Sequence, residues 1–361
     1  MNLPTTRARR VVAAGAAVAL GAVAALGQAP AQAAEPTETL AEGLLSPLSA
    51  AVTDDGTVYY SQNFAGGLFA LGEEAPVYQT SQEGAEIGAL SADGNDVVFV
   101  EGFTMKRLSD GTVTELADLE AYEQENNPDA AVKYGFKKLN KKCVKKIPRR
   151  FPAKYTGIVE SHPYGSTVDG ETVYVADAAA NAILAINGTE VSTVAVLPSV
   201  KVTATKRLAK SANLPDCVVG KTYRFENVPT DVEVGPDGLL YVTSLPGGEI
   251  PGAGSLMTVD PATGAVDSIA GGFTGATGVA VDDNGDVYVA ELMANAITKI
   301  PAGGSPEPFY TGQGAPGPAA LEIDGDTLYA TLGALTGLSG EPNDVPAGSL
   351  VTFDLGNPGN N

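Results

Sequence analysis

The chain has 361 residues, with 43 acidic and 22 basic side chains, a net charge of −21, 43 glycines, 24 prolines and no tryptophan. Such acidity excludes general nucleic-acid binding. The glycine and proline content, with few aromatics, points to many short strands and turns and away from long helices.

Arg7, Arg9 and Arg10 precede an apolar run, Val11–Leu26, and Ala31-Gln32-Ala33 is a small-x-small cleavage site. Residues 1–33 read as a signal peptide and 34–361 as the exported chain, placing the protein outside the membrane. The apolar run is short for a spanning helix, and nothing later is long and apolar enough to be one. Sec and twin-arginine export both stay open, because Arg9-Arg10 stands in an otherwise weak twin-arginine pattern. Removing the three signal arginines leaves 19 basic against 43 acidic residues, a charge of −24.

Six segments then repeat one pattern. They are Leu48–Tyr60, Gly88–Val100, Tyr164–Val175, Val232–Val242, Val279–Val289 and Leu321–Ala330. Each is an apolar strand, an Asp/Asn-Gly turn and a Val/Tyr-rich strand, with turn glycines at 56, 94, 170, 238, 285 and 325. Gly accepts the positive φ of such hairpins without steric cost. The basic spacing, 38–47 residues, is that of propeller blades with four strands each. The prediction is an all-β fold, a six-bladed β-propeller. The last repeat ends at its third strand, Ser349–Leu355, and Thr37–Ala41 offers a strand without a blade. The N-terminal strand is therefore expected to close the last blade and remove an open sheet edge.

Two insertions, 119–160 and 199–227, interrupt the spacing. Each precedes a first strand, so both fall on one face, together with smaller elaborations at Leu245–Gly254 and Leu332–Gly348; the other face keeps tight turns. Long loops on one side of a rigid scaffold are where function usually resides. Asn127 as cap, Pro128 and Asp129 predict the start of a helix. Val132, Phe136, Leu139, Cys143 and Ile147 continue it, and Pro148 ends it. Residues 133–154 hold ten Lys/Arg and no acid, and 201–224 hold six and one. The core of the basic patch is Lys137, Lys138, Lys141, Lys142, Lys145, Lys146, Arg149 and Arg150. Cys143 and Cys217, the two cysteines of an exported chain, predict one disulfide tying two loops with little core of their own; two free thiols are the alternative. This basic lid either rests on the acidic body and is neutralised by it, or meets an anionic partner. That partner would be a cell-wall polymer, an acidic polysaccharide or a lipid headgroup; a protein partner is the other class considered. The chain is expected to be a monomer.

Chemistry is harder to read. His162 is the one histidine, in Ser161-His-Pro-Tyr-Gly165, and reads either as a turn residue or as a general base or metal ligand near the axis. No Gly-x-Ser-x-Gly elbow, Walker loop or dinucleotide fingerprint occurs, and the His and Cys counts exclude zinc sites built from several of them. A ligand face is expected from His162, Tyr164, Asp177, Asn181, Asp231, Glu291 and Asn295. Oxygen ligands for Ca²⁺, the one candidate cofactor, are expected from Glu86, Glu101, Asp177, Asp231 and Glu291. The first functional expectation is a non-enzymatic binding or scaffold module docking its ligand on the inserted face. The alternative is a metal-dependent hydrolase or lyase of the lactonase-like propeller type.

Ser161-His-Pro-Tyr-Gly165, the stretches Val173–Leu184 and Val191–Pro198, Cys217-Val-Val-Gly220, Val228–Gly238 and Leu240–Gly248 together resemble the ScyD/ScyE family, most strongly over 158–295. The resemblance implies a secreted, six-bladed, NHL-like bacterial propeller and carries no catalytic residues. The Lys-rich stretch 133–154 departs from the family pattern.

Overall fold

The computed structural model describes residues 33–149, 151–248, 250–313, 317–341 and 343–356. Residues 1–32, nearly all of the expected signal peptide, and Arg150 of the basic run lie outside them. Strands dominate, and each repeat turns where its Asp/Asn-Gly pair predicts. The six turn glycines have φ of 56–81°, a region that a Cβ penalises.

Seven antiparallel four-stranded sheets are present among the described residues. Five are built from consecutive strands and begin at Ala50–Val52, Ile87–Asp93, Pro163–Asp169, Asn227–Val234 and Ala276–Val281. The sixth takes Leu321–Asp324, Thr327–Leu332 and Gly348–Asp354 from the end of the chain and Glu38–Leu44 from its beginning. Glu38 lies opposite Thr352 and Leu44 opposite Gly348. The first strands pack on one another in sequence order, and Leu321–Asp324 packs back on Ala50–Val52. Apolar side chains fill the spaces between sheets. Val98, Val100 and Met105 meet Val173, Leu184 and Ile186 in one such space. Leu44, Val58, Tyr60 and Leu350 share another, between the sixth sheet and the first.

The seventh sheet joins the two insertions. Its order is Lys154–Thr156, Lys133–Phe136, Thr222–Phe225, Val200–Thr203. The long helix expected from Asn127 to Ile147 is replaced by a short helix α1 (Leu119–Asn126), a strand, and one turn of helix α2 (Lys141–Val144). Asp118, not Asn127, caps α1 at its N-terminus, accepting from the Ala121 amide at 2.9 Å. Asn127, with φ 38°, ends it. Gly135 is the reason the helix fails. Its φ is +83°, and a Cβ there would lie 2.5 Å from the Ala153 carbonyl oxygen, so strand Lys133–Phe136 lies flush against its neighbour.

The three- and four-residue spacing read as helical instead marks residues that converge on the disulfide. Cys143 and Cys217 are bonded. Phe136, Ala204, Ala209, Val218 and Tyr223 are buried around them, with Leu139, Ile147, Tyr155, Leu214 and Phe225 half-buried. A third helix, α3 (Lys206–Ser211), lies in this second insertion and is capped by Thr205. The lid thus has a core of its own, larger than expected of two loops with little core. Lys137, Lys138, Lys141, Lys142, Lys145, Lys146 and Arg149 are exposed. Among the described residues none of them forms an ion pair with the acidic body.

A disulfide linking residues 74 apart constrains the unfolded lid by roughly 4 kcal/mol in the chain-entropy model. The double variant Cys143→Ser, Cys217→Ser is expected to be cut by trypsin within 137–146 at least tenfold faster than the parent. The β signature in far-UV circular dichroism should persist. Equal cleavage rates would show that the small apolar core holds the lid unaided.

Candidate functional site

The first strands line a channel whose wall includes Ser49, Tyr164, Thr230, Asp231, Glu233 and Glu322. Small polar side chains stitch neighbouring sheets there. Ser166 Oγ donates to the Ala89 carbonyl at 2.6 Å and Thr230 Oγ1 to the Ala276 carbonyl at 2.9 Å. The Asp231 carboxylate accepts from the Val232 and Val279 amides, each at 2.9 Å. Asp231 packs against Gly165, where a Cβ would lie 2.3 Å from its Oδ1. The free volume is about 20 Å³, room for about one water.

Three acids in this wall carry raised pKa values, and burial is the main cause for each. Asp231 and Glu322 are pushed well up, and Glu233 to about 7. Sequence reasoning missed Glu233 and Glu322. A signal was present: both lie opposite the repeated tyrosine, at Tyr241 and Tyr329, where Ala51 and Ala280 occupy the same register in other sheets.

His162 stands just before the first strand of its sheet, on the side where the insertions enter. Its Nε2 is 3.3 Å from Glu86 Oε2, and the two side chains are 48% and 35% exposed. The Tyr164 ring meets it edge-on at 6.2 Å. Asp177, fully buried, holds this segment in place. It accepts from Ser161 Oγ at 2.6 Å, the His162 amide at 2.8 Å and the Ala180 amide at 3.1 Å. His162, Tyr164 and Glu86 therefore come together, with Asp177 beneath them. The hydrogen bond that the ring donates to Glu86 is the main cause of a raised His162 pKa, and burial opposes it.

Other expected residues have separate tasks. Glu101 pairs with Lys106 and accepts from Tyr78 and Thr80. Glu291 accepts from the Thr274 amide at 2.8 Å and Thr298 Oγ1 at 2.6 Å. Asn181 and Asn295 occupy equivalent hairpins in Asp177-Ala-Ala-Ala-Asn181-Ala-Ile183 and Glu291-Leu-Met-Ala-Asn295-Ala-Ile297, with φ of 55° and 53°. The repeat explains these acids and asparagines structurally. Glu86, Glu101, Asp177, Asp231 and Glu291 do not converge as one ligand set. Among the described residues no three His, Cys, Asp or Glu side chains are placed to hold a metal.

A second concavity lies in the lid. It offers about 240 Å³ and is lined by Phe136, Phe151, Leu208, Tyr223, Phe225 and Ile250 among others.

No protein-family model and no curated protein matches the chain. Solved structures do. A gluconolactonase from Xanthomonas campestris is 11% identical, with 87% of this chain and 88% of that one covered and a TM-score of 0.52. Regucalcin from Agrobacterium tumefaciens, described as a calcium-binding protein, is 11% identical over 91% and 97% of the two chains, with a TM-score of 0.51. Virginiamycin B lyase from Staphylococcus aureus, in a catalytically inactive histidine-to-alanine form with quinupristin, is 17% identical over 87% and 97%, with a TM-score of 0.50. The fold is a β-propeller. These likenesses support the propeller that the ScyD/ScyE resemblance implies and do not extend to that family. Among the described residues of this propeller, no helix is long and apolar enough to cross a membrane.

The single histidine makes the site easy to observe. Its stabilising pair with Glu86 is fully present below the ordinary histidine value of about 6.5 and is lost as pH rises through the raised native value. The imidazole proton resonance of His162 should titrate with a midpoint above 6.5, and Glu86→Gln should lower that midpoint. An unshifted midpoint in both proteins would show that the pair does not form.

Proposed function

We propose that this is an exported six-bladed propeller that transforms a small molecule on its inserted face, with His162 and Glu86 as an acid–base pair. The blade count is supported by the cycle of contacts among six first strands. Glu38–Leu44 is taken to complete the sixth blade, and the disulfide-bonded seventh sheet is taken as a lid. The observation that carries the functional reading is the half-exposed His162–Glu86 pair, 3.3 Å apart, with the ring of Tyr164, a residue of the channel wall, edge-on to His162. A neutral ring donating Nε2–H to Glu86 presents Nδ1 as a base, and Glu86 stabilises the imidazolium formed by proton uptake. Asp177 is a positioning residue, since it holds the His162 backbone.

The lactonase and lyase among the structural neighbours favour a hydrolase or lyase over a non-enzymatic scaffold. Metal dependence is not part of the reading, because Glu86, Glu101, Asp177, Asp231 and Glu291 do not converge and each is engaged by a protein donor.

The apolar lid cavity favours a second reading, a binding module for an apolar ligand. On that reading the exposed lysines of the lid face an anionic wall polymer or acidic polysaccharide.

The test is incubation of the protein with glucono-lactone and with quinupristin, followed by mass spectrometry. Elimination adds no water and hydrolysis adds one. Conversion of either is expected, with a loss of about 10²–10⁴-fold in His162→Ala, the range for a general base. Conversion unchanged by His162→Ala would sink the acid–base assignment. No conversion, with an apolar ligand bound by the parent and lost in Leu208→Trp, would establish the binding module.

A further inference from the structure

Eight buried side-chain oxygens of the described residues lack any hydrogen-bond partner, and five belong to one place. They are both carboxylate oxygens of Glu123 and one oxygen each of Asn127, Asp129 and Asn181. The other three, on Ser49, Asn63 and Asn227, are single atoms in separate parts of the chain. Glu123 is 1% exposed, Asp129 0% and Asn181 4%.

The four residues are drawn together by the fold. Glu123 lies on α1, and its carbonyl accepts from the Asn127 amide at 2.8 Å, where the helix ends. Asp129 follows two residues later. Its Oδ2 accepts from Asn181 Nδ2 and Tyr134 Oη, both at 2.8 Å, which leaves Oδ1 without a donor. Asn181 comes from the hairpin that follows Asp177. Burial, then the charges of Asp177 and Asp129, push Glu123 up to about 7. No lysine or arginine of the described residues pairs with Glu123 or Asp129.

Buried polar atoms are paired as a rule, and an unpaired buried carboxylate costs several kcal/mol. The Glu160 amide is the one donor that faces Glu123, and five acceptors with so few donors call for a cation. Carboxylate and amide oxygens, two of each kind of residue, are the ligands of a hard divalent ion of flexible coordination. We propose that Glu123, Asn127, Asp129 and Asn181 form a calcium site that clamps the first insertion to the hairpin of the third sheet. Half of its side chains are amides. It shares no ligand with the His162–Glu86 pair.

The test uses the exported chain, residues 34–361, stripped with EDTA and studied at pH 8. Ca²⁺ is expected to raise the melting temperature and to give a saturable calorimetric isotherm near one ion per chain. Mg²⁺ should bind at least tenfold more weakly. Glu123→Gln and Asp129→Asn should each weaken Ca²⁺ binding at least tenfold. If either variant does not fold, tyrosine-sensitised terbium emission from the parent gives a second readout. Tyr134 donates to Asp129, and the chain has no tryptophan, so Tyr134→Phe, which removes the phenol and keeps the packing, should lose most of the emission. Absence of any Ca²⁺ effect on melting or heat in the parent would overturn the proposal and leave Glu123 as a protonated acid. Binding unchanged in Glu123→Gln and Asp129→Asn would overturn it equally.

Discussion

Each of the six sheets outside the lid is apolar on both faces and has no core of its own. The third sheet illustrates the constraint. Val173, Val175, Leu184 and Ile186 face one neighbour, while Ala176, Ile183, Ala195 and Leu197 face the other. Side chains alternate along a strand, so burial of one set leaves the other in water until a second sheet arrives. Stability therefore belongs to the spaces between sheets. At the narrow end of those spaces, where backbones come too close for large residues, the junction passes to small polar groups such as Ser166, Thr230 and Asp231. Their bonds run from one sheet to the next and leave the channel with room for little more than a water.

Charge is divided as sharply as hydrophobicity. The sheets outside the insertions hold three basic residues, Lys106, Arg107 and Lys299, and each is paired with an acid of its own sheet. Lys299 also lies over the Tyr288 ring, and its pKa rises to about 12 because the bonds to Asp286 and Tyr288 outweigh burial. The basic residues of the lid are used differently. Its lysines are solvated, and the lid is held by a disulfide and an apolar core. Neutralisation by the acidic body, one of the two readings of this charge, finds no direct ion pair among the described residues. Separate means of attachment free the positive surface from any structural duty.

The repeat was legible because a hairpin with positive φ at a fixed register needs glycine, and six glycines recur in that role. The disulfide was legible because two cysteines admit one intramolecular pairing. The inserted helix was misread because its spacing of apolar residues was real but served another end. Phe136, Leu139, Cys143 and Ile147 gather around a disulfide as well as they would along a helical stripe, and Gly135 just before them was the residue to weigh. Within the candidate site, His162 stood out by being the only imidazole. Its partner Glu86 appeared in the sequence as one acid among many, since their pairing depends on how two sheets lie together. The buried oxygens of Glu123 and Asp129 were hidden for the same reason. Nothing local distinguishes them from the solvated acids around them.

The pairing of Glu38–Leu44 with Gly348–Asp354 has a consequence for the order in which the molecule comes into being. Thr37 Oγ1 accepts from the Asp354 amide across 317 residues of sequence. The strand that leaves the ribosome early waits for one of the last, so this sheet cannot be complete while the chain is still being made. Contacts at such separation are slow to form, because a long loop must close before they return any free energy. Until then both strands present unpaired backbone. A chain cut short would keep that open edge permanently. The architecture thus distinguishes a finished molecule from an unfinished one by a single seam, and any quality-control factor that recognises exposed strand edges could read it.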